Sequence, residues 1–585
     1  MRAAEEKEFV THDGAALFYR YWPRVDGGRA ERAVVLFHRG HEHSGRLQHV
    51  VDELGLDDYA MFAWDARGHG RSPGARGDSP SFAASVKDVD TFVRHVAAEY
   101  ALAPGNIAVI GQSVGAVLAA TWADDYAPAV RCLVLTTPAF KVKLYVPLAR
   151  PSLALKLRLF GNFFVTSYVK AKFLTHDPER IRSYEEDPLV TRAISARILL
   201  GLYDAAERVV EDAQAIRLPV QLLISEKDWV VHRAPQDRFF ERLGSSVKER
   251  HLLPGFLHDT LGERDRKLAL DKVRDFLERM FRAPLPVASL AQAHRAGYTR
   301  DEEIRLRAPL PALSPRNVQF AMTRLSMRTL GRLSEGIRLG LATGFDSGST
   351  LDYVYRNEAR GDSVLGRVID RGYLDAIGWR GIRVRKTHLQ KAIAKAAQRL
   401  KAAGAPIRIA DIAAGYGRYV VDAVREMTER PEAIVLRDYS GINVRDGKAL
   451  IAQQGLADIA RFEEADAFDE KGVAALTPRP TVATVSGLYE LVPDNDLVGR
   501  SLRGLARAVE PGGYLIYTGQ PWHPQLEMIA RTLTTHRGHQ AWVMRRRTQA
   551  ELDELVRAAG FEKVEQWIDD WGIFTVSLAR RTADA

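Results

Sequence analysis

One cysteine, Cys132, stands in a chain of 585 residues. A lone thiol excludes an internal disulfide and a thiolate metal cluster, and such usage fits the reducing cytoplasm. It sits in the apolar stretch RCLVLT, where a small buried hydrophobe is expected. Long apolar runs are also missing, so no transmembrane segment is expected. The opening MRAAEEKEFVTHDG is acidic and has no apolar centre, unlike a secretory signal. No internal repeat links the two halves. Acidic residues are absent from Lys141 to Lys172, where seven Lys or Arg alternate with Leu, Val, Phe and Tyr. Two readings of that stretch stay open. It is a cap whose cationic stems cover a small core, or a surface that meets anionic lipid at the inner membrane face. The formal charge of +9 favours an anionic partner without naming one.

What is present is best read outward from NIAVIGQSVGAVLAAT, residues 106 to 121. A β-branched run leads into Gly-Gln-Ser113-Val-Gly and then into small helix-forming residues. Strand, sharp turn and helix are the setting of a nucleophile elbow, in which the serine hydroxyl projects above a sheet. Strands are expected at Ala16 to Trp22, Arg32 to Phe37, Tyr59 to Trp64, Cys132 to Thr136 and Val220 to Ser225, with a helix over Phe82 to Tyr100. This alternation predicts an α/β fold with a mostly parallel, doubly wound sheet and polar groups gathered at the carboxyl ends of its strands. Asp228 follows the strand VQLLIS, and His258 lies in LPGFLHDTLGE ahead of a terminal helix. The chain order Ser113, Asp228, His258 is that of nucleophile, acid and base on such a sheet.

Four segments, HRGHEHSGR, DARGHGRS, GQSVG and GFLHD, resemble the α/β-hydrolase superfamily over about residues 10 to 281. The similarity is to its monoacylglycerol lipase and lysophospholipase branch, of serine aminopeptidase S33 type. The resemblance implies a catalytic triad of Ser113, Asp228 and His258, with the backbone amides of Gly40 and Val114 as the oxyanion hole. It also implies a variable cap over about 140 to 216 and a small-molecule or lipid ester as substrate. Arg39 and His41 replace glycines of that pattern. Arg39 either assists the oxyanion as a nearby cation or displaces the Gly40 amide by its bulk. His38, His41 and His43 lack supporting ligands at metal-site spacing, so no metal is expected.

The stretch RAPLPVASLAQAHRAGYTRDEEIRLRAPLPALSPR reads as a connector. It divides a first domain, 1 to 282, from a second, 317 to 585, across a linker of 283 to 316. The second domain opens with a helical extension. Arg324, Arg328, Arg332 and Arg338 recur at a spacing that suggests one cationic helical face, with further helices over Val364 to Ile377 and Thr387 to Ala403.

The segment IRIADIAAGYGRYV then runs from strand through a glycine-bearing turn into a helix, the setting in which a ligand lies on backbone amides. Asp438 ends the next strand, at about the distance from the turn where a carboxylate meets a ribose. The glycine order is wrong for a nicotinamide site. Residues of about 380 to 579 instead resemble a class I S-adenosylmethionine-dependent methyltransferase with a Rossmann-like sheet. Asp411, Ala413, Gly415 and Gly417 match its D-x-G-x-G-x-G pattern, with alanine at the first glycine. Asp438 matches its ribose acid, Asp466 the acid near the adenine, and SGLYELVPD the loop facing donor and acceptor, where Glu490 is a candidate base. S-adenosyl-L-methionine is the implied cofactor. Arg545 to Arg547 are read as a solvated face. Aromatic-rich recognition modules are lacking, which argues against a nucleic-acid partner. The combined expectation is a bifunctional enzyme of lipid-related esters. The alternatives are a methyltransferase of an unrelated small molecule fused to the hydrolase, and a scaffold or nucleic-acid-associated protein with one or both centres inactive.

Overall fold

The computed structural model describes residues 1–144, 146, 148–282, 284 and 288–582. Positions 145 and 147 of the expected cap, 283 and 285–287 of the expected linker, and 583–585 lie outside the described residues. The chain divides into two units, Met1–Ala288 and Ser289–Ala585.

In the first unit, strands β1 (Glu5–Val10), β2 (Ala16–Trp22), β3 (Ala33–Phe37), β4 (Ala60–Trp64), β5 (Ile107–Gln112) and β6 (Cys132–Thr136) precede a short cap ribbon of β7 (Phe164–Thr166) and β8 (Ala193–Ser195). Strands β9 (Val220–Ser225) and β10 (Lys248–Leu253) follow. One eight-stranded sheet has the order β1-β2-β4-β3-β5-β6-β9-β10. Its strands from β4 to β10 run parallel, and β2 is antiparallel to both β1 and β4. Strands β3, β4, β5, β6 and β9 are buried at every position, as parallel strands covered on both faces must be. The helix Lys267–Arg282 sets Leu270, Val273, Phe276 and Leu277 into one core with Val34, Ile110, Val134 and Leu223. Parallel direction then brings the loops after β3, β5, β9 and β10 to one rim of the sheet.

In the second unit, β11 (Arg408–Asp411), β12 (Ala433–Asp438), β13 (Ala460–Glu464), β14 (Val482–Val485), β15 (Tyr514–Gly519), β16 (Phe561–Ile568) and β17 (Thr575–Arg581) form a sheet of order β13-β12-β11-β14-β15-β17-β16. Strands β11 to β15 are parallel, and β17 is antiparallel to its neighbours β15 and β16. The strand order reverses between β11 and β14, where a crevice opens at the carboxyl ends. Helix Ile377–Ala402 packs Leu389, Ile393, Ala396 and Leu400 against Ile409, Ile434 and Ile516.

Three expectations about this half differ from the structure. Helix Tyr298–Arg307 lies in the expected linker, and its Leu306 packs with Leu526, Ile529 and Met544 of the second unit. Its apolar contacts are too widely spaced in sequence to show as periodicity. Arg324, Arg328, Arg332 and Arg338 do not share one helix: they fall on Pro315–Arg328, the 3-10 turn Leu330–Leu333 and Glu335–Thr343. Arg324 donates to the Arg531 carbonyl at 2.6 Å, and Arg338 pairs with Asp362. Arg545, Arg546 and Arg547 are buried rather than solvated. Arg545 meets Glu551 at 2.6 Å, Arg546 meets Glu302 at 2.6 Å, and Arg547 donates to the carbonyls of Tyr489 and Val492. The partners that neutralise and satisfy these cations come from distant segments. Among the described residues, no helix is long and apolar enough to cross a membrane.

Candidate functional site

At the end of β5 the chain turns through Ser113, which holds φ 55° and ψ −111°, and enters helix Val114–Tyr126. This left-handed geometry costs a serine on the order of 1–3 kcal/mol, so the surroundings must enforce it. Two glycines permit the turn. A Cβ at Gly111 would lie 2.6 Å from the Gly115 carbonyl oxygen, and one at Gly115 would lie 2.5 Å from that of Phe37. Across the rim, His258 Nε2 stands 2.8 Å from Ser113 Oγ, and His258 Nδ1 stands 2.7 Å from Asp228 Oδ2. Asp228 Oδ1 accepts from the amides of Val230 and Val231 at 2.6 and 2.9 Å. All three side chains are buried. Burial opposes the Asp228 charge, but His258 and the two amides outweigh it and hold the carboxyl below its ordinary value.

Gly40 lies against the first turn of the serine helix, where an added Cβ would stand 3.1 Å from Val114 Cγ2. As the first residue of that helix, Val114 has an amide without an intrahelical acceptor. Arg39 turns away from this pair. Its guanidinium reaches Glu42 at 2.6 and 3.0 Å and Asp259 at 3.3 Å. Neither its charge nor its bulk is spent at Gly40. Asp259, the neighbour of His258, also accepts from Gln112 Nε2 at 2.8 Å, from the Gly262 amide at 3.1 Å and from Arg180 of the cap at 3.1 Å. One buried carboxylate thus ties the histidine loop to the serine strand, to the loop after β3 and to the cap. His41 keeps a positive φ of 72° although it is not glycine, and its carbonyl accepts from Thr191 of the cap at 3.1 Å. His43 Nε2 meets Asp187 Oδ2 at 2.9 Å, and His38 Nε2 accepts from the Ala66 amide at 3.1 Å.

The cap segment presents helix Ala149–Phe160, from which Leu155, Leu159 and Phe160 are exposed, next to exposed Val146 and Leu148. Its cations are used unequally. Arg150 pairs with Asp204 at 2.6 Å and with Glu207, while Lys156 lies 4.2 Å from the Phe163 ring centroid.

In the second unit the turn after β11 carries Ala413, Gly415 and Gly417. Gly415 and Gly417 have φ of 58° and 72°, and a Cβ on Gly417 would lie 2.4 Å from Leu436 Cδ1. Asp411 lies beneath the turn, accepting from Tyr419 Oη at 2.5 Å and from the Ala413 amide at 3.3 Å. Burial raises its carboxyl to about 7 against those hydrogen bonds, with nearby Asp438 adding to the rise. Asp438 holds the turn: Oδ2 accepts from the Gly415 amide at 2.9 Å, and Oδ1 from the Ser440 amide at 2.9 Å and Asn443 Nδ2 at 3.0 Å. Asp466 is exposed and bonds the Phe468 amide at 2.9 Å. Glu490 Oε1 accepts from Thr518 Oγ1 at 2.6 Å, and its buried Oε2 has no hydrogen-bond partner among the described residues.

A cavity opens beside the turn, lined by Ala413 and Gly415 and roofed by helix Gly348–Arg356. Tyr355, Tyr416 and Tyr419 form its walls, and Arg385 and Ser486 face it. The cavity lining brings Ala413 and Gly415 together but not Asp411, Gly417, Asp438 or Asp466. Sequence reasoning missed Arg385 and Ser486. Ser486 opens the motif SGLYELVPD, whereas Arg385 lies on a helix that starts ten residues before its expected start. The residues fit a nucleoside sulfonium: a glycine turn admits close approach, aromatic faces suit a cation, and unsatisfied buried polar atoms of Arg385 and Ser486 await a partner.

The two units define the class of the protein, a hydrolase fold followed by a class I methyltransferase fold. A family described as "Serine aminopeptidase, S33" matches residues 28–265, and one described as "Putative methyltransferase" matches residues 273–581. The second match spans more than half of the chain, and the chain belongs to that family. Over 581 residues it is 56% identical to the uncharacterized protein YnbC of Escherichia coli (strain K12), covering 99% of each chain. Over 276 residues it is 28% identical to a monoacylglycerol lipase of Mycolicibacterium smegmatis, covering 46% of this chain and 96% of the other. Among solved structures, the monoacylglycerol lipase of Paleococcus ferrophilus is 22% identical, with 48% of this chain and 99% of that one covered and a TM-score of 0.40.

Proposed function

We propose that the first unit is a serine hydrolase of acyl esters, of the monoacylglycerol or lysophospholipid kind, and that the second is an S-adenosylmethionine-dependent methyltransferase. The observation that carries the first part is the hydrogen-bonded chain from Ser113 through His258 to Asp228. Neutral His258 takes the Ser113 proton as Oγ attacks the ester carbonyl, and Asp228 fixes the Nδ1–H tautomer and stabilises the imidazolium. The amides of Gly40 and Val114 receive the negative charge that develops on the carbonyl oxygen. His258 then returns the proton to the leaving alcohol, and water, activated by the same ring, releases the acid.

In the second unit, bound S-adenosylmethionine supplies an electrophilic methyl group. Gly415 admits the ligand to the turn, and Asp438, which fixes the Gly415 amide, has capacity left on Oδ2 for a ribose hydroxyl. Asp466 stands as the candidate adenine contact, and Glu490 Oε2 is free to accept a proton from the methyl acceptor. Catalysis rests mainly on alignment of acceptor and methyl carbon.

The exposed leucines and Phe160 of the cap, set among lysines, support an ester substrate taken from an anionic lipid surface at the cytoplasmic face of a membrane. The relatives named as monoacylglycerol lipases favour the same substrate class. A fluorophosphonate probe is expected to label wild type at Ser113, and Ser113→Ala to lose both label and ester turnover while melting normally. Ester turnover retained by that folded variant refutes the hydrolase assignment. Incubating both proteins with methyl-labelled S-adenosylmethionine and a lipid extract tests the second half, which fails if no labelled product forms.

A further inference from the structure

The cavity at the glycine turn contains a cation that, among the described residues, has no counter-ion within hydrogen-bond distance. Arg385 is 3% exposed, yet among the described residues its Nε has no hydrogen-bond partner, and neither does the buried Oγ of Ser486. Among the described residues, the nearest carboxylate contact of Arg385 is Glu490 Oε1 at 3.7 Å, beyond hydrogen-bond reach and already held by Thr518. The Tyr355 hydroxyl accepts from the guanidinium, and the Phe574 ring lies 4.9 Å from its carbon, so the second flank offers a π face but no acceptor. A guanidinium taken out of water is costly unless an acceptor completes its fork.

We propose that Arg385, assisted by Ser486, recognises a carboxylate on the ligand of this cavity. The proposal rests on the methyltransferase reading of the second unit, and it names the chemistry that one end of a ligand must carry. Carboxylate geometry matches the guanidinium fork, and the pair gains strength where water is excluded. A monoanion is favoured over a phosphate dianion. Glu490 already places one negative charge near Arg385, and the other cation of the cavity, Arg418, is paired with Asp352. Two molecules supply such a group: the amino-acid end of the methyl donor, or an acidic methyl acceptor.

Calorimetry on the full chain separates them, using S-adenosylhomocysteine, which has the amino-acid carboxylate, and 5′-methylthioadenosine, which lacks it. If the donor supplies the carboxylate, Arg385→Met weakens S-adenosylhomocysteine by about 10-fold or more, leaves 5′-methylthioadenosine within about threefold, and Arg385→Lys recovers part of the loss. If the acceptor supplies it, both nucleosides bind wild type and variant alike. Acetate then raises the melting temperature of wild type saturated with S-adenosylhomocysteine, but not of Arg385→Met, and phosphate protects neither. The proposal is overturned if the variant weakens both nucleosides by one factor, or if acetate protects wild type and variant equally with nucleoside affinities unchanged. Absence of nucleoside binding to wild type sinks the methyltransferase reading. In that case acetate protection is measured without nucleoside. Protection lost in Arg385→Met upholds the carboxylate site, and equal or absent protection overturns it.

Discussion

Replacing Asp228 by asparagine tests the hydrolase site at a single proton. The side chain is held by two amides, those of Val230 and Val231, which both donate to Oδ1. An asparagine must answer them with its only oxygen, and its NH2 group then points at His258 Nδ1, which in turn must accept. Nε2 becomes the protonated nitrogen and can no longer take a proton from Ser113, although every heavy atom stays in place. For the corresponding change in a serine protease the loss in kcat is about 10⁴-fold, or about 5.5 kcal/mol of barrier. A similar loss is expected here for Asp228→Asn, with KM and the melting temperature nearly unchanged. The assay is short-chain ester hydrolysis at neutral pH, with the fluorophosphonate labelling rate as an independent measure of Ser113 reactivity. A loss below about 10-fold in a folded variant refutes the tautomer argument, because a ring protonated on Nε2 cannot act as the base at all.

Asp259→Asn removes the charge that Arg39 and Arg180 share, and is expected to destabilise the first unit by about 3–5 kcal/mol as a broken buried ion pair; chemical denaturation measures it, and a shift below about 1 kcal/mol would show the network to be slack. Arg39→Met, which leaves Glu42 bonded to Arg46 at 2.8 Å, is expected to cost less, and the double variant to show coupling of about 0.5–3 kcal/mol. Asp411 has a folded pKa raised to about 7. Its protonated form therefore contributes stability that is complete below its ordinary value and is lost as pH rises through the folded value. Melting temperatures of the second unit should fall between about pH 4 and pH 7, and Asp411→Asn should flatten that slope; an unchanged slope would remove Asp411 as its origin.

The meeting of Ser113, Asp228 and His258 was legible because each sits just beyond a strand whose apolar run is visible in sequence, and because parallel strands send those ends to a common rim. Ser113 was further marked by Gly111 and Gly115, whose need is set by close backbone approach. The role of Arg39 was not legible. As a substitution for glycine it suggested interference at Gly40, and only the fold reveals that Asp259, more than two hundred residues away, draws it elsewhere. Arg545 to Arg547 misled for the same reason, since a run of like charges reads as surface until the carbonyls and carboxylates that receive it are known. In the second unit the strand, glycine turn and helix around Gly415 were readable. The roof over the cavity was not, because helix Gly348–Arg356 lies within ATGFDSGSTLDYVYRNEARG, whose glycines and serines read as a loop, and gains its place from Phe345, Tyr353 and Trp379 packing together.

The burial of three consecutive arginines has a practical side. A protease that cuts after arginine finds its densest target in this chain shut away at residues 545 to 547, while Arg328 and Arg332 stand in the open. Brief digestion should therefore spare the former in the native protein and sever it once the second unit loosens, so the fragment pattern reports the integrity of that unit without any substrate.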